Sequence, residues 1–213
     1  MTMTVHAKTP IVHVVDDDVS IRESLELLIR VAGWTPALFD RAQAFLERAH
    51  DNAPGCVVLD LELPDIDGLE LQERIAADAA RLPVIFLTGH GDIAKTVRAM
   101  KGGAVEFFTK PFDVDQLLAA ISRAIERSRA ALEHAAALGL LRERHAGLTP
   151  REREVMALVV AGRLNKQVGA ELGMSEVTVK AHRGQVMRKM RAASLADLVR
   201  IATSLELPLP PRV

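Results

Sequence analysis

A chain of 213 residues, 49% hydrophobic and 26% charged, can form one large globular domain or two small ones. It has no run of 18 uncharged apolar residues, and its N-terminus MTMTVHAKTP lacks the apolar stretch and cleavage site of a signal peptide, so the sequence predicts a cytoplasmic protein with no membrane partner. The net charge of −1 conceals an asymmetry: residues 1–144 carry 16 basic and 22 acidic side chains, residues 145–213 carry 11 and 6, and an acidic part joined to a basic part predicts two domains with different partners.

The first element is IVHVV at 11–15, an apolar strand that runs into Asp16, Asp17 and Asp18. Three adjacent carboxylates repel one another, and taking them out of water is costly unless something cationic or hydrogen-bonding compensates. They are either a solvated loop that caps the next helix or a cation site, and the choice depends on what else the chain brings to that point. Ser20 with Glu23 has capping-box spacing and predicts the first helix. A weaker strand follows near Pro36–Phe39, and Asp40 with Gln43 repeats the cap signal. GCVVLD (55–60), PVIFLT (83–88) and AVEFF (104–108) complete the strands, and Cys56 inside the first of these reads as a small core residue. Near-continuous apolar strands alternating with helical segments predict an α/β domain, a doubly wound five-stranded parallel sheet covered on both faces. Right-handed crossovers then place every strand's carboxyl end on one edge, where ligands of such folds bind.

Asp113 with Gln116 opens a helical pattern that continues to about Leu141 without proline, with Gly139 and Gly147 as candidate breaks; it reads as a closing helix running on as a linker. LTPRERE then holds Thr149 and Glu152 in capping-box spacing with Pro150 at the first helical position, the start of a new domain. Four short helical segments without a strand follow, and the tail LPLPPRV is expected to fray. The predicted boundaries are residues 1–127 for the first domain, 128–147 for the helical linker and 148–213 for a small all-α domain.

The predicted strand ends carry chemistry. Asp16 and Asp17 close the first strand, Asp60 the third and Thr88 the fourth, while Lys110 follows the fifth. Three carboxylates meeting at one edge call for a divalent cation held by hard oxygen ligands. With a lysine and a hydroxyl beside them the set suits phosphoryl transfer to an aspartate nucleophile. These residues resemble the CheY-like receiver domain of bacterial two-component response regulators: DDD at the first strand end, VVLDLELPDIDG around Asp60, FLTGHGD around Thr88 and AVEFFTKPF around Lys110. The resemblance covers residues 10–127. It implies that Asp60 accepts the phosphoryl group, that Asp17, Asp60 and the backbone carbonyl of Glu62 bind Mg2+ directly, and that Asp16 acts through water. It also makes Thr88 and Phe107 the switch pair, and Lys110, followed by a cis Pro111, the active-site lysine. Glu62 and His90 occupy the positions expected to tune the lifetime of the acyl phosphate, whereas Asp18 reads as the residue that starts the turn.

In the basic part, NKQVGAELGMSEVTVKAHRGQVMRKM contains two helical segments joined by Gly173, Met174 and Ser175, with Asn165 and Ser175 as candidate caps; this is a helix-turn-helix pattern. At 100° per residue Val179, Val186 and Met190 form a buried stripe, and Val177, Lys180, Ala181, Gly184, Arg188 and Arg191 face the other way. Cations around small residues suit close approach to a DNA major groove. The motifs from LTPREREVMALVVAG to MRKM resemble the LuxR-type helix-turn-helix of the NarL/FixJ family, closest in layout to FixJ-like or styrene-catabolism-type regulators, and the resemblance covers residues 148–205. That resemblance puts Lys180, Ala181 and Gly184 at base-facing positions and Asn165, Lys166, Thr178, Arg183 and Lys189 at the DNA backbone, while Arg188 joins the DNA-binding set through the cationic stripe.

The sequence therefore predicts a transcription factor, not a metabolic enzyme. A sensor histidine kinase would phosphorylate Asp60 in a Mg2+-dependent reaction. Phosphorylation would then drive homodimerisation through the face around Ile93 to Phe108, binding to promoter DNA and engagement of RNA polymerase. A phosphatase with an aspartate nucleophile is the first rival, but no feature supplies a substrate pocket or a separate general acid. A DNA-binding protein whose receiver is only a scaffold is the second; it gives no reason for the acids, Thr88 and Lys110 to occur together.

Overall fold

The computed structural model describes residues 8–48, 52–76, 80–89 and 92–208. Five strands, β1 (Ile11–Val15), β2 (Thr35–Phe39), β3 (Gly55–Asp60), β4 (Val84–Thr88) and β5 (Glu106–Thr109), form one parallel sheet in the order β2-β1-β3-β4-β5. Between them run α1 (Val19–Val31), α2 (Ala42–Glu47), α3 (Gly68–Arg74) and α4 (Ile93–Lys101). The central strands β1, β3 and β4 are buried almost throughout, as the continuous apolar runs require, and a core lies on each side of the sheet. One core gathers Phe39, Phe45, Leu59 and Phe86; the other gathers Val14, Leu25, Ile29, Ile85 and Ile121. The expected doubly wound α/β fold is borne out.

Two of the cap assignments for α1 to α4 need correction. Helix α1 is capped by Asp18, whose carboxylate accepts the Ser20 amide at 2.8 Å, so Ser20 is already inside the helix. Helix α2 begins after Arg41, not Asp40, and Asp40 pairs with the Arg41 guanidinium. Its open amides, Ala42 and Gln43, donate instead to the Asp65 carboxylate at 3.1 and 2.8 Å, from more than twenty residues away. The Asp113 cap is where the sequence put it, accepting the Gln116 amide at 2.9 Å.

Helix α5 runs without interruption from Val114 to Ala146, so Gly139 does not break it and Gly147 marks its end. A single interior glycine costs roughly 1 kcal/mol relative to alanine, too little to stop a helix of 33 residues. The chain divides within α5 into two compact units, Met1–Glu133 and His134–Val213. In the second unit, α6 (Pro150–Val160), α7 (Asn165–Leu172), α8 (Glu176–Met190) and α9 (Leu195–Ser204) surround a core of Val155, Met156, Val168, Val179, Val186, Met190 and Leu198. Thr149 and Glu152 make the predicted capping box. Asn165 is not the cap of α7: Leu164 is, its amide donating to the Gln167 side chain at 2.8 Å. Gly173 ends α7 at φ 66°, a left-handed conformation that glycine adopts without penalty, and Ser175 caps α8 as expected.

Candidate functional site

At the carboxyl edge of the sheet β1 delivers Asp16, β3 delivers Asp60, β4 delivers Thr88, and the residue after β5 is Lys110. Parallel pairing fixes this convergence: Asp60 pairs with Leu87, Thr88 pairs with Thr109, and the Lys110 amide donates to the Thr88 carbonyl at 2.7 Å. Asp16, Asp60 and Thr88 are buried, whereas Asp17 is exposed. The Lys110 ammonium lies 2.7 Å from Asp16 Oδ2 and 2.7 Å from Asp60 Oδ2, bridging two carboxylates that would otherwise repel in a low-dielectric pocket. Burial pushes the Asp16 carboxyl above its ordinary range, although Lys110 and the Asp18 amide pull in the other direction. For Lys110 burial opposes the charge, and the hydrogen bonds and charges of Asp16 and Asp60 outweigh it, so its ammonium is held above the usual lysine value. The Lys110–Pro111 peptide is cis.

Carboxylate oxygens of Asp16, Asp17 and Asp60 all lie within 4.8 Å of one another. The donor chemistry fits a hard divalent cation: three oxygen ligands, one on the exposed side. Glu62 enters through its backbone amide, which donates to Asp60 Oδ1 at 3.2 Å, while its side chain reaches out to within 3.9 Å of Lys95 on α4. Phe107 is half-buried, its ring 6.2 Å from that of Phe86. His90 lies outside the described residues.

Sequence reasoning missed two supports of this site. Arg22 donates from its guanidinium to the Asp16 carbonyl at 2.7 Å, fixing the acidic turn from inside α1. Gly68, the first residue of α3, packs so tightly beneath Asp60 that a Cβ there would stand 2.4 Å from the Asp60 carbonyl oxygen, which forces glycine. The DG pair in PDIDG was the available signal: Asp67 caps α3 and Gly68 permits the approach.

In the helical unit α8 has two faces. Val179, Val186 and Met190 are at most 1% exposed, while Val177, Lys180, Ala181, Gly184, Arg188 and Arg191 are all exposed. Lys166, on α7, and Thr178 are exposed as well. Arg183 turns toward α7 and donates to Asn165 Oδ1 at 3.2 Å, which joins these two candidates to each other. Lys189 is placed differently from the expected DNA-facing cation. Its ammonium is 2.6 Å from Glu152 Oε2 and 3.4 Å from the Gly147 carbonyl, so it ties α8 to the start of α6. A Cβ built at Gly184 meets nothing within 4 Å, so no packing inside the chain demands a glycine there.

This geometry agrees with comparison to known proteins. Residues 12–122 match the family described as response regulator receiver domain, and residues 146–202 match bacterial regulatory proteins of the luxR family. The chain belongs to the response-regulator family. It is 48% identical over 195 residues to nodulation protein W of Bradyrhizobium diazoefficiens, covering 92% of this chain and 86% of that one. It is 44% identical to the transcriptional regulatory protein FixJ of the same organism, covering 90% and 93%. Among solved structures, the response regulator StyR superposes with a TM-score of 0.81 at 44% identity, covering 92% of this chain and 98% of that one. The regulator is thus a receiver joined to a LuxR-type helix-turn-helix domain, a FixJ-like transcription regulator rather than a metabolic enzyme, as the sequence predicted. Its receiver implies a cognate kinase and its second domain implies DNA binding. The Asp16, Asp17 and Asp60 cluster is of the kind that binds Mg2+ in receivers. Among the described residues no helix is long and apolar enough to cross a membrane.

Proposed function

We propose that a histidine kinase phosphorylates Asp60, and that phosphorylation drives dimerisation and sequence-specific binding to promoter DNA. The observation that carries this reading is the Lys110 ammonium shared between Asp16 and Asp60 beside the exposed Asp17. It leaves the Asp60 carboxylate beside an ammonium in an otherwise acidic site, at an edge that Asp17 opens to solvent. Asp60 Oδ attacks the donor phosphorus in line, and the kinase imidazole leaves with its electron pair, giving an acyl phosphate on Asp60. Lys110 loses one carboxylate contact and gains a phosphoryl oxygen, supplying positive charge where negative charge accumulates. Asp16, Asp17, Asp60 and the Glu62 carbonyl would hold Mg2+. When bound, it neutralises the transferring oxygens and the converging acids. Thr88 donates its hydroxyl to the phosphoryl group, and Phe107, half-buried already, repacks inward.

Helix α4 supports the dimer. Ile93, Val97 and Met100, at helical i, i+4, i+7 spacing, are 81, 46 and 43% exposed, an apolar stripe left open on the element next to the switch residues. In the second domain α8 enters the major groove. Lys180 reaches base edges, while Lys166, Thr178 and Arg188 meet phosphates and Asn165 and Arg183 act as a linked pair. Bound as a dimer at a promoter, the protein engages RNA polymerase. The test is acetyl phosphate with MgCl2, read by light scattering after size exclusion. The native protein should become dimeric and Asp60→Asn should not, and indistinguishable behaviour would overturn the proposal.

A further inference from the structure

We infer that Val177 is a specificity-determining residue, seated against the 5-methyl group of a thymine in the major groove. The inference rests on the reading of α8 as the groove-entering helix. Val177 is 77% exposed in the first turn of α8, where a β-branched side chain gains neither burial nor helix propensity. It cannot belong to the domain core, because Val179, Val186 and Met190 define the buried side of the same helix. At i+3, i+4 and i+7 from it stand Lys180, Ala181 and Gly184, all exposed, so the four form one ridge.

Gly184 supplies the second, independent observation. Nothing lies within 4 Å of a Cβ placed there, so the helix carries glycine's penalty with no return from its own packing. An outside surface that comes close at Gly184 and is apolar at Val177 accounts for both residues. Its charge is set by Lys180, Arg188 and Arg191 on the same side of the helix, which call for a polyanion. Duplex DNA is the polyanion whose major groove presents an apolar group, the thymine methyl. Seven residues of helix span about 10 Å, or about three base steps, which bounds the distance between the thymine beneath Val177 and the base pair beneath Gly184.

The experiment uses the full chain treated with acetyl phosphate and MgCl2. Duplexes are selected from a random pool, and each thymine of the selected half-site is then replaced singly by deoxyuridine, which pairs identically but lacks the methyl. At one thymine the replacement should weaken native binding about fourfold, the equivalent of one methyl group withdrawn from an apolar contact. Val177→Ala should bind the two duplexes equally while keeping the salt dependence of the native protein. Circular dichroism checks that the variant is folded, as the exposure of Val177 leads one to expect. If no single deoxyuridine matters, or Val177→Ala discriminates as well as native protein, the inference fails. Lys180→Ala separates that failure from failure of the underlying reading. A variant that binds the selected duplex as well as native protein removes α8 from the groove altogether, whereas weakened binding with no methyl effect refutes Val177 alone.

Discussion

Lys110→Met removes one ammonium and leaves the apolar stem in place. In the native protein that ammonium sits 2.7 Å from both Asp16 Oδ2 and Asp60 Oδ2. The two carboxylates are 2 and 8% exposed, so water cannot take over the lost interaction. Breaking a buried ion pair from one side costs about 3–5 kcal/mol, and the lower end applies because Lys110 keeps 18% of its side-chain surface in solvent. A loss of about 3 kcal/mol moves a urea midpoint by about 2 M when the slope is near 1.5 kcal/mol per molar. Trp34 is the only tryptophan and packs half-buried against the receiver core, so its fluorescence follows the unfolding of this domain alone. In EDTA the variant should show the full loss. With MgCl2 at a hundred times the dissociation constant, linkage returns about 2.7 kcal/mol. The native protein should gain less, because its ammonium competes for the same oxygens. In an Asp60→Asn background Lys110→Met should cost less than in the native chain, since only one buried charge is then stranded. Equal stability of Lys110→Met and native protein in EDTA, or equal stabilisation of the two by Mg2+, would refute the claim that Lys110 holds this site together.

Asp65→Ala should cost the receiver about 1–2 kcal/mol and speed hydrogen exchange at the Ala42 and Gln43 amides, because it strips the cap of α2. Val97→Glu should prevent the phosphorylation-driven dimer without slowing acyl phosphate formation, which light scattering and phosphoprotein gels separate; a dimer that survives would move the interface off α4. Glu152 is held below the usual carboxylate range by Lys189 and the Thr149 amide, so it contributes stability at neutral pH that is lost as pH falls below about 4.5 and through its lowered folded value. Acid unfolding of the helical domain followed by exchange of α6 amides should therefore flatten in Glu152→Gln. Gly184→Ala should raise the local stability of α8 by about 1 kcal/mol, since the added methyl meets only open space.

How much of this was legible depends on the range of the interaction. Strands were found within one or two residues because a buried parallel strand must be apolar throughout, and GCVVLD and PVIFLT leave no alternative. The convergence of Asp16, Asp60, Thr88 and Lys110 was equally legible, because parallel topology sends every strand's carboxyl end to one edge whatever the loops do. Helix caps were less so. Ser20 and Glu23 had the right spacing, but Asp18 made the hydrogen bond first. The cap of α2 comes from Asp65 and no local pattern contains it. The same reason hid the role of Lys189: the family resemblance put it at the DNA backbone, and its partner Glu152 lies 37 positions away.

That distinction sorts the charges of the whole chain. Asp18, Asp65, Glu152 and Lys189 are each engaged by backbone or by an opposite charge of the chain itself, so their roles end inside the fold. Asp16, Asp60 and Lys110 are engaged but not balanced, because two carboxylates share one ammonium beside a third, and such a set gains from an added cation. Lys166, Lys180 and Arg191 have no ion-pair or hydrogen-bond partner of their side chains among the described residues, and two of them stand on the face where Gly184 leaves space. A solvated lysine needs no explanation by itself. Unpaired cations around a vacant glycine on one helix ridge do, since two other cations of the same helix, Lys189 and Arg183, are used as clasps. The acidic strand edge and the basic ridge of α8 are thus two places among the described residues where several like charges are gathered with too few partners, and a divalent cation at the first and a DNA groove at the second would supply the missing counterpart.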